Sequence, residues 1–389
     1  MSDTTTTALL MAGIPSRNYS LYHRLRFQVG DPTAWIEIES ADGSRHSTLL
    51  LRDIEIQRAR QHARVDSVAC PADFAPEDGL SGDRETATAQ ATAELMRRAG
   101  VLRAVSDRSL PLIFAHHIEQ AGIELVCDLE MGVLERRAKD EEEIAWLAEA
   151  QQATEGSMRM ACELIATADT DDEGMLLHEG EPLSSERVRS HIDIWLLERG
   201  YMNPRSIVAG GPQAADCHDM GSGPLRSGQP VIIDIFPQNK KTLYNGDCTR
   251  TVVHGQVSEA VRAMHLAVVE ANQAGIDAVH PGATGEDVHR ATIEVITRHG
   301  YQLGLPGEED PAEYCAMTHG TGHGVGLDVH EPPLLDFGGP PLVMGDCLTI
   351  EPGIYSRAIG GVRVEDMVIV TADGTRNLNQ LPGGLDWQP

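Results

Sequence analysis

The feature that most restricts this chain is a six-residue run, Val231-Ile232-Ile233-Asp234-Ile235-Phe236, in which one carboxylate interrupts an otherwise apolar strand. A polar insertion follows, and then a second strand-like run from Cys248 to His254 with Asp247 directly ahead of it. The two aspartates thus flank a hairpin, and their side chains can meet on one sheet face. His323, Glu351 and Glu365 also sit in strand-like or Gly-rich settings. Four carboxylates and one imidazole form an oxygen-dominated donor set, suited to Mn²⁺, Co²⁺ or Zn²⁺ more than to a thiolate-loving metal. Four carboxylates gathered together repel strongly, and two divalent cations nearly cancel them along with a bridging hydroxide, so two ions are expected. Taken singly, each acid also reads as a turn, cap or solvated edge residue; the joint pattern is far more specific.

The rest of the chain reads as two domains, 1–137 and 138–389. In the first, Ala34 to Glu39 alternates apolar and acidic residues as a half-buried strand does, Asp42-Gly43 supplies a turn, and Thr48 to Leu51 is its partner. A helix over 86–99 and a strand near 101–105 complete a small α/β domain. Beyond a charged stretch at Glu135 to Lys139, Asp140 caps a long helix whose first turn carries Glu141 to Glu143. Residues 169–181 are acidic and Gly-containing and read as a surface loop. Ser184-Ser185-Glu186 starts another helix, which Gly200 ends. Helices are expected at about 258–279 and 284–299, the latter with a Thr284/Asp287 capping box, and β-prone runs at Cys347–Ile350 and Val362–Val370.

At 389 residues the chain is long for one small core. Acidic residues (59) outnumber basic ones (31), which argues against nucleic acid or an anionic membrane surface as partner. Seven scattered Cys with no Cys-x-x-Cys pair indicate neither a disulfide framework nor a zinc ribbon. Met1-Ser2-Asp3 followed by four Thr lacks the basic and apolar regions of a secretory signal, and no stretch approaches the ~18 apolar residues that span a bilayer. A cytoplasmic protein with reduced thiols is expected.

In order along the chain stand Asp234, then Asp247-Cys248-Thr249-Arg250-Thr251, then His319-Gly320-Thr321-Gly322-His323-Gly324-Val325-Gly326. Val329-His330-Glu331-Pro332, Glu351-Pro352-Gly353 and Val362-Arg363-Val364-Glu365-Asp366 follow. This series resembles the pita-bread metallopeptidases, which include methionine aminopeptidase, aminopeptidase P, prolidase and creatinase. Upstream, Asp107 to Pro111 and Arg136 to Ile144 resemble the N-terminal domain and linker of the proline-specific branch. The resemblance implies an α+β fold, with a C-terminal pita-bread domain behind a smaller N-terminal creatinase-like α/β domain. One departure is the 12 residues between Asp234 and Asp247, two more than the family's usual hairpin. A hairpin tip absorbs that length at small entropic cost.

By the resemblance, Asp234 chelates one metal, Asp247 and Glu365 bridge both, and His323 and Glu351 complete the other's shell. Manganese is the expected metal, with cobalt or zinc as alternatives. The nucleophile would be the bridging hydroxide, with Glu351 as general base handling its proton. His330, seven residues after His323, matches the histidine that touches the scissile amide and stabilises the oxyanion. His218 matches a substrate-contacting histidine, and His319, four before His323, a pocket histidine of the proline-specific branch. Arg363, two before Glu365, pairs with acidic groups or a substrate carboxylate; a strand salt bridge reads it equally well. The implied activity is hydrolysis of an Xaa-Pro bond, in dipeptides or at peptide N-termini, by a homodimer. Action on another small amide or a non-peptide substrate is the alternative within enzymes. A non-catalytic scaffold that has kept the fold is the alternative of another class.

Overall fold

The computed structural model describes residues 6–40 and 42–387. The reading of Met1 to Thr5 as no secretory leader lies outside these residues. The chain divides into two compact units, Met1–Arg136 and Arg137–Pro389.

The first unit is built on a mixed six-stranded sheet. Its order is Ser67–Ala69, Arg45–Leu50, Thr33–Glu39, Thr7–Gly13, Arg103–Ser106, Glu124–Cys127. Thr7–Gly13 pairs antiparallel with Thr33–Glu39 and parallel with Arg103–Ser106. Strand alternation sends Leu10, Ile36 and Leu50 to one face, where they bury against Ala89, Met96 and Phe114, and sends Met11, Trp35 and Leu49 to the other. The helix Arg84–Arg98 begins where the Asp83 side chain accepts from the amide of Thr86.

The second unit opens with the helix Glu141–Ala166. Asp140 accepts from the Glu143 amide and Glu143 from the Asp140 amide, a reciprocal cap. Ser185–Leu197, Glu259–Ala278 and Gly285–Arg298 are its other main helices, the last starting at the Thr284/Asp287 box. Three sheets carry the site. One orders Ser206–Gly210, Pro230–Ile235 and Cys248–Val253, all antiparallel. A second orders Gln302–Leu303, Cys315–Met317, Gly353–Ser356 and Gly360–Arg363. The third orders Glu331–Leu335, Gly322–Gly324, Cys347–Ile350, Asp366–Thr371 and Gly374–Asn377. Among the described residues no helix is long and apolar enough to cross a membrane.

Two local expectations are corrected. Residues 169–181 are not a plain loop: Asp169–Thr170, Leu176–His178 and Glu181–Pro182 form a small antiparallel sheet. Asp171 folds its first turn by accepting from the amides of Glu173 and Met175, Glu179-Gly180 folds the second with positive φ, and Leu176 is fully buried beneath. The run Val362–Val370 is two strands in different sheets, Gly360–Arg363 and Asp366–Thr371, broken at Val364-Glu365. Glu365 therefore stands at the seam between sheets.

Candidate metal centre

Asp234 lies opposite Thr249 in the hairpin, and Ile235 opposite Cys248. Continuing that register sets Asp247 across from Phe236, on the same face as Asp234 by the two-residue period. The long helix holds Asp247 from behind: Gln151 Oε1 accepts its amide at 2.8 Å and Gln151 Nε2 donates to its carbonyl at 2.7 Å. Within the lengthened hairpin, Gln238–Asn239 pairs antiparallel with Tyr201–Met202.

His323 stands between two glycines that permit close approach. A Cβ on Gly322 would fall 2.0 Å from the Thr349 carbonyl oxygen, and one on Gly324 would fall 2.4 Å from that of Pro332. Thr249 Oγ1 donates to Glu365 Oε2 at 2.7 Å, and the Glu365 amide donates to the Thr249 carbonyl at 3.1 Å. The Glu351 amide donates to the Thr321 carbonyl at 2.8 Å, which ties the fourth carboxylate to the same glycine-rich strand.

All nine side chains singled out from the sequence line one cavity of about 560 Å³. Ligand atoms of Asp247, His323 and Glu365 lie within 4.8 Å of one another. His323 Nε2 is 3.4 Å from Glu351 Oε1 and 3.9 Å from Asp247 Oδ2. Its Nδ1 donates to the Gly324 carbonyl at 3.1 Å, so Nε2 carries the lone pair in the neutral ring. Asp234 Oδ1 is buried with no hydrogen-bond partner. A lone pair aimed at carboxylates and an orphaned buried oxygen are unfavourable as they stand; a cation among them reverses the sign of each. These donors therefore fit divalent ions.

The electrostatics agree. Burial pushes the Asp247 carboxyl well above the carboxylate range, with the charges of Glu365, Asp234 and Glu351 adding to it. Burial does the same to Glu365, reinforced by Glu351 and Asp234. Burial also raises Glu351, although the Arg363 guanidinium opposes that shift.

Arg363 donates from Nη2 to Asp234 Oδ2 at 2.7 Å, from Nη1 to the Tyr355 hydroxyl at 3.0 Å and to the Cys217 carbonyl at 3.2 Å. Arg363 is thereby paired with one of the cavity acids. Tyr355 meets His319 Nε2 at 2.7 Å, and His319 Nδ1 meets the Gly320 carbonyl at 2.8 Å. One proton arrangement satisfies the series: Arg363 donates to Tyr355, Tyr355 to Nε2, and Nδ1–H to Gly320. His319 is then neutral, and burial followed by the Arg363 charge lowers its pKa to about 4. The His330 ring stands edge-on to His323, centroids 4.2 Å apart. Burial lowers the pKa of His330, with the neighbouring His323 next in effect. His218 is exposed at the cavity edge, beside Cys217.

Thr249 and Tyr355 were not foreseen. The signal for Thr249 was its place two residues after Asp247, on the same strand face. Tyr355, four residues after Glu351, carried no local signal, because its partners lie 8 and 36 residues away.

The description of metallopeptidase family M24 matches residues 145–372, which contain all nine. The chain belongs to that family. Xaa-Pro aminopeptidase 1 of Streptomyces coelicolor is 34% identical over 267 residues, covering 63% of this chain and 52% of that one. An Xaa-Pro dipeptidase of Pyrococcus furiosus is 34% identical over 177 residues, covering 45% and 47%. The chain spans about half the length of the curated relatives it matches. The solved Xaa-Pro dipeptidase from Bacillus anthracis superposes with a TM-score of 0.77 at 22% identity, covering 98% of this chain and 94% of that one. The M24 chain therefore has the pita-bread α+β fold, and divalent metal ions are the cofactor its family implies.

Proposed function

We propose that this M24 member hydrolyses the Xaa-Pro bond of dipeptides or of longer peptides at their N-termini. Two divalent ions, manganese foremost, would be held by Asp234, Asp247, His323, Glu351 and Glu365, with Asp247 and Glu365 shared. When bound, such ions acidify a water molecule and polarise a carbonyl. The observation that carries the reading is the buried Asp234 Oδ1, which has no hydrogen-bond partner, in a cavity that also holds the His323 Nε2 lone pair and the carboxylates of Asp247, Glu351 and Glu365.

The chain's own residues supply the rest. Glu351, its pKa raised by burial, takes the proton of the attacking water and delivers it to the leaving proline nitrogen. His330 donates to the oxygen on which charge develops. His319 stays neutral and orders the pocket wall through Tyr355, while Arg363 fixes Asp234. His218 contacts the substrate from the rim. Cytoplasmic location and a homodimer belong to the same proposal, and sedimentation of the purified protein reads the second.

The test is to strip metal, add Mn²⁺, Co²⁺ or Zn²⁺ separately, and follow release of the first residue from Ala-Pro, Ala-Pro-Ala and Ala-Ala-Ala. Cleavage confined to the proline peptides and to metal-loaded protein is expected. No turnover of any proline peptide with any of the three metals sinks the proposal.

A further inference from the structure

Lys139 and Glu331 make a buried ion pair that the mechanism above does not use. Lys139 Nζ lies 2.7 Å from Glu331 Oε1, and the two side chains are 1% and 3% exposed. The geometry points to Lys139 as a positioning residue that sets the ring of His330 through Glu331. The inference rests on the role proposed for His330.

Neither residue lines the cavity, so any influence on the reaction passes through the chain between them and it. That path is short. Glu331 directly follows His330 and begins the strand Glu331–Leu335, whose residues alternate buried and exposed. His330 lies in the bend immediately before that strand. His330 faces the cavity, and Glu331 turns inward to Lys139.

The carboxylate sits in a closed seat. A Cβ on Gly326 would lie 2.4 Å from Glu331 Oε1, so the turn before His330 folds directly onto the carboxylate. The Asn245 amide donates at 2.9 Å to the carbonyls of both Gly326 and Leu327, pinning the same turn from the hairpin side. The ammonium end is fixed as well. Two residues before Lys139, Arg137 makes a two-pronged bond to Asp346 at 2.9 and 2.7 Å and a third to the Pro341 carbonyl at 2.8 Å. Gly345, at φ +88°, leaves no room for a side chain, since its Cβ would fall 2.6 Å from the Lys139 amide nitrogen. Segment 137–139 is a strap anchored on both sides, and its ammonium reaches Glu331 from a fixed point.

Stability does not account for the pair. Desolvating two ions costs several kcal/mol each, and a well-packed apolar pair of similar volume is commonly as stable or more so. What an ion pair adds over an apolar contact is direction, and here that direction aims the backbone carrying His330.

The test compares the parent with Lys139→Met, Glu331→Gln and the apolar double variant Lys139→Met/Glu331→Leu. Each is loaded with manganese and assayed on Ala-Pro, with Tm, bound metal and a crystal structure recorded. The single changes lower Tm, and the double change restores it. In the double variant kcat stays about 10–100-fold below the parent, as for residues that orient a functional histidine. Its KM and manganese content match the parent, and the His330 ring is displaced. Glu331→Gln keeps the shape of the carboxylate and shows the same kcat loss should the double variant fold poorly. Parental kcat with an unmoved ring overturns the inference, as does loss of manganese in step with kcat, which would move the effect to the ligand shell. If the parent cleaves no proline peptide, the proposed function fails by itself. The ring position then decides the strap alone: displaced supports it, unmoved refutes it.

Discussion

The second unit buries carboxylates in two contrasting ways. Around the strap and the back of the hairpin, each has its own cation: Asp346 has Arg137, Glu331 has Lys139 and Asp366 has Arg250. In the cavity, Asp234 pairs with Arg363, and Asp247 and Glu351 lie within 3.9 Å of His323, whose neutral form burial favours. Buried charge is tolerated only when compensated. The first region compensates within the protein and is complete as folded. The second is short of positive charge, and that shortfall is what divalent ions satisfy. A chain that supplies a Lys or Arg to each of three acids and a single paired Arg to a cluster of four has set those four apart.

The sharpest way to break this contrast is to remove one acid from each region. Glu365→Gln should abolish both activity and the manganese-dependent rise in Tm. In the parent that rise reflects about 4 kcal/mol when manganese is at a thousandfold excess over its Kd. An unchanged shift in thermal melting removes Glu365 from the shell. In the self-balanced region, Arg137→Met leaves Asp346 buried without its cation and should cost about 3–5 kcal/mol in urea unfolding. Manganese stoichiometry should stay at the parent value. A loss of metal there would show that the two regions are not independent.

How far each region could be read from sequence differs for the same reason. The cavity acids sit in short motifs: Asp234 and Asp247 flank one hairpin, and His323 lies among glycines that have no role except close approach. Local rules also reach the caps at Asp140 and Thr284 and the paired strands of the first unit. The ion pairs of the other region join residues 116, 192 and 209 positions apart, and no periodicity or spacing carries that information. The small sheet within 169–181 was missed because strands of two or three residues show no alternation. The break at Val364-Glu365 was missed because both flanking segments are equally β-prone. Tyr355 joins His319 and Arg363 only once two sheets have met.

Two smaller effects sharpen the comparison. His330→Ala removes a donor without touching the acid set. It should lower kcat by about 10²–10³-fold, the size found for single oxyanion donors, while elemental analysis shows unchanged metal. Normal turnover would make His330 a packing residue. The smallest effect belongs to acids compensated at the surface. Glu94 in the first unit is held by Arg97 and then Arg98, which lower its pKa to about 2. Because the folded value is depressed, the contribution is present above the ordinary carboxylate pKa and is lost as pH falls from about 4.5 towards 2. Both arginines are about half exposed, so screening limits Glu94→Gln to less than about 1 kcal/mol at neutral pH. A larger loss in denaturant titrations would mean that surface pairs here rank with buried ones.

The most direct test of the uncompensated-acid claim is anomalous diffraction at the manganese edge from crystals of the manganese-loaded protein. The account predicts two peaks per chain, both touching Asp247 and Glu365, with Asp234 Oδ1 and His323 Nε2 each bonded to one of them. Crystals with full manganese in the liquor and no anomalous density among these side chains would contradict it.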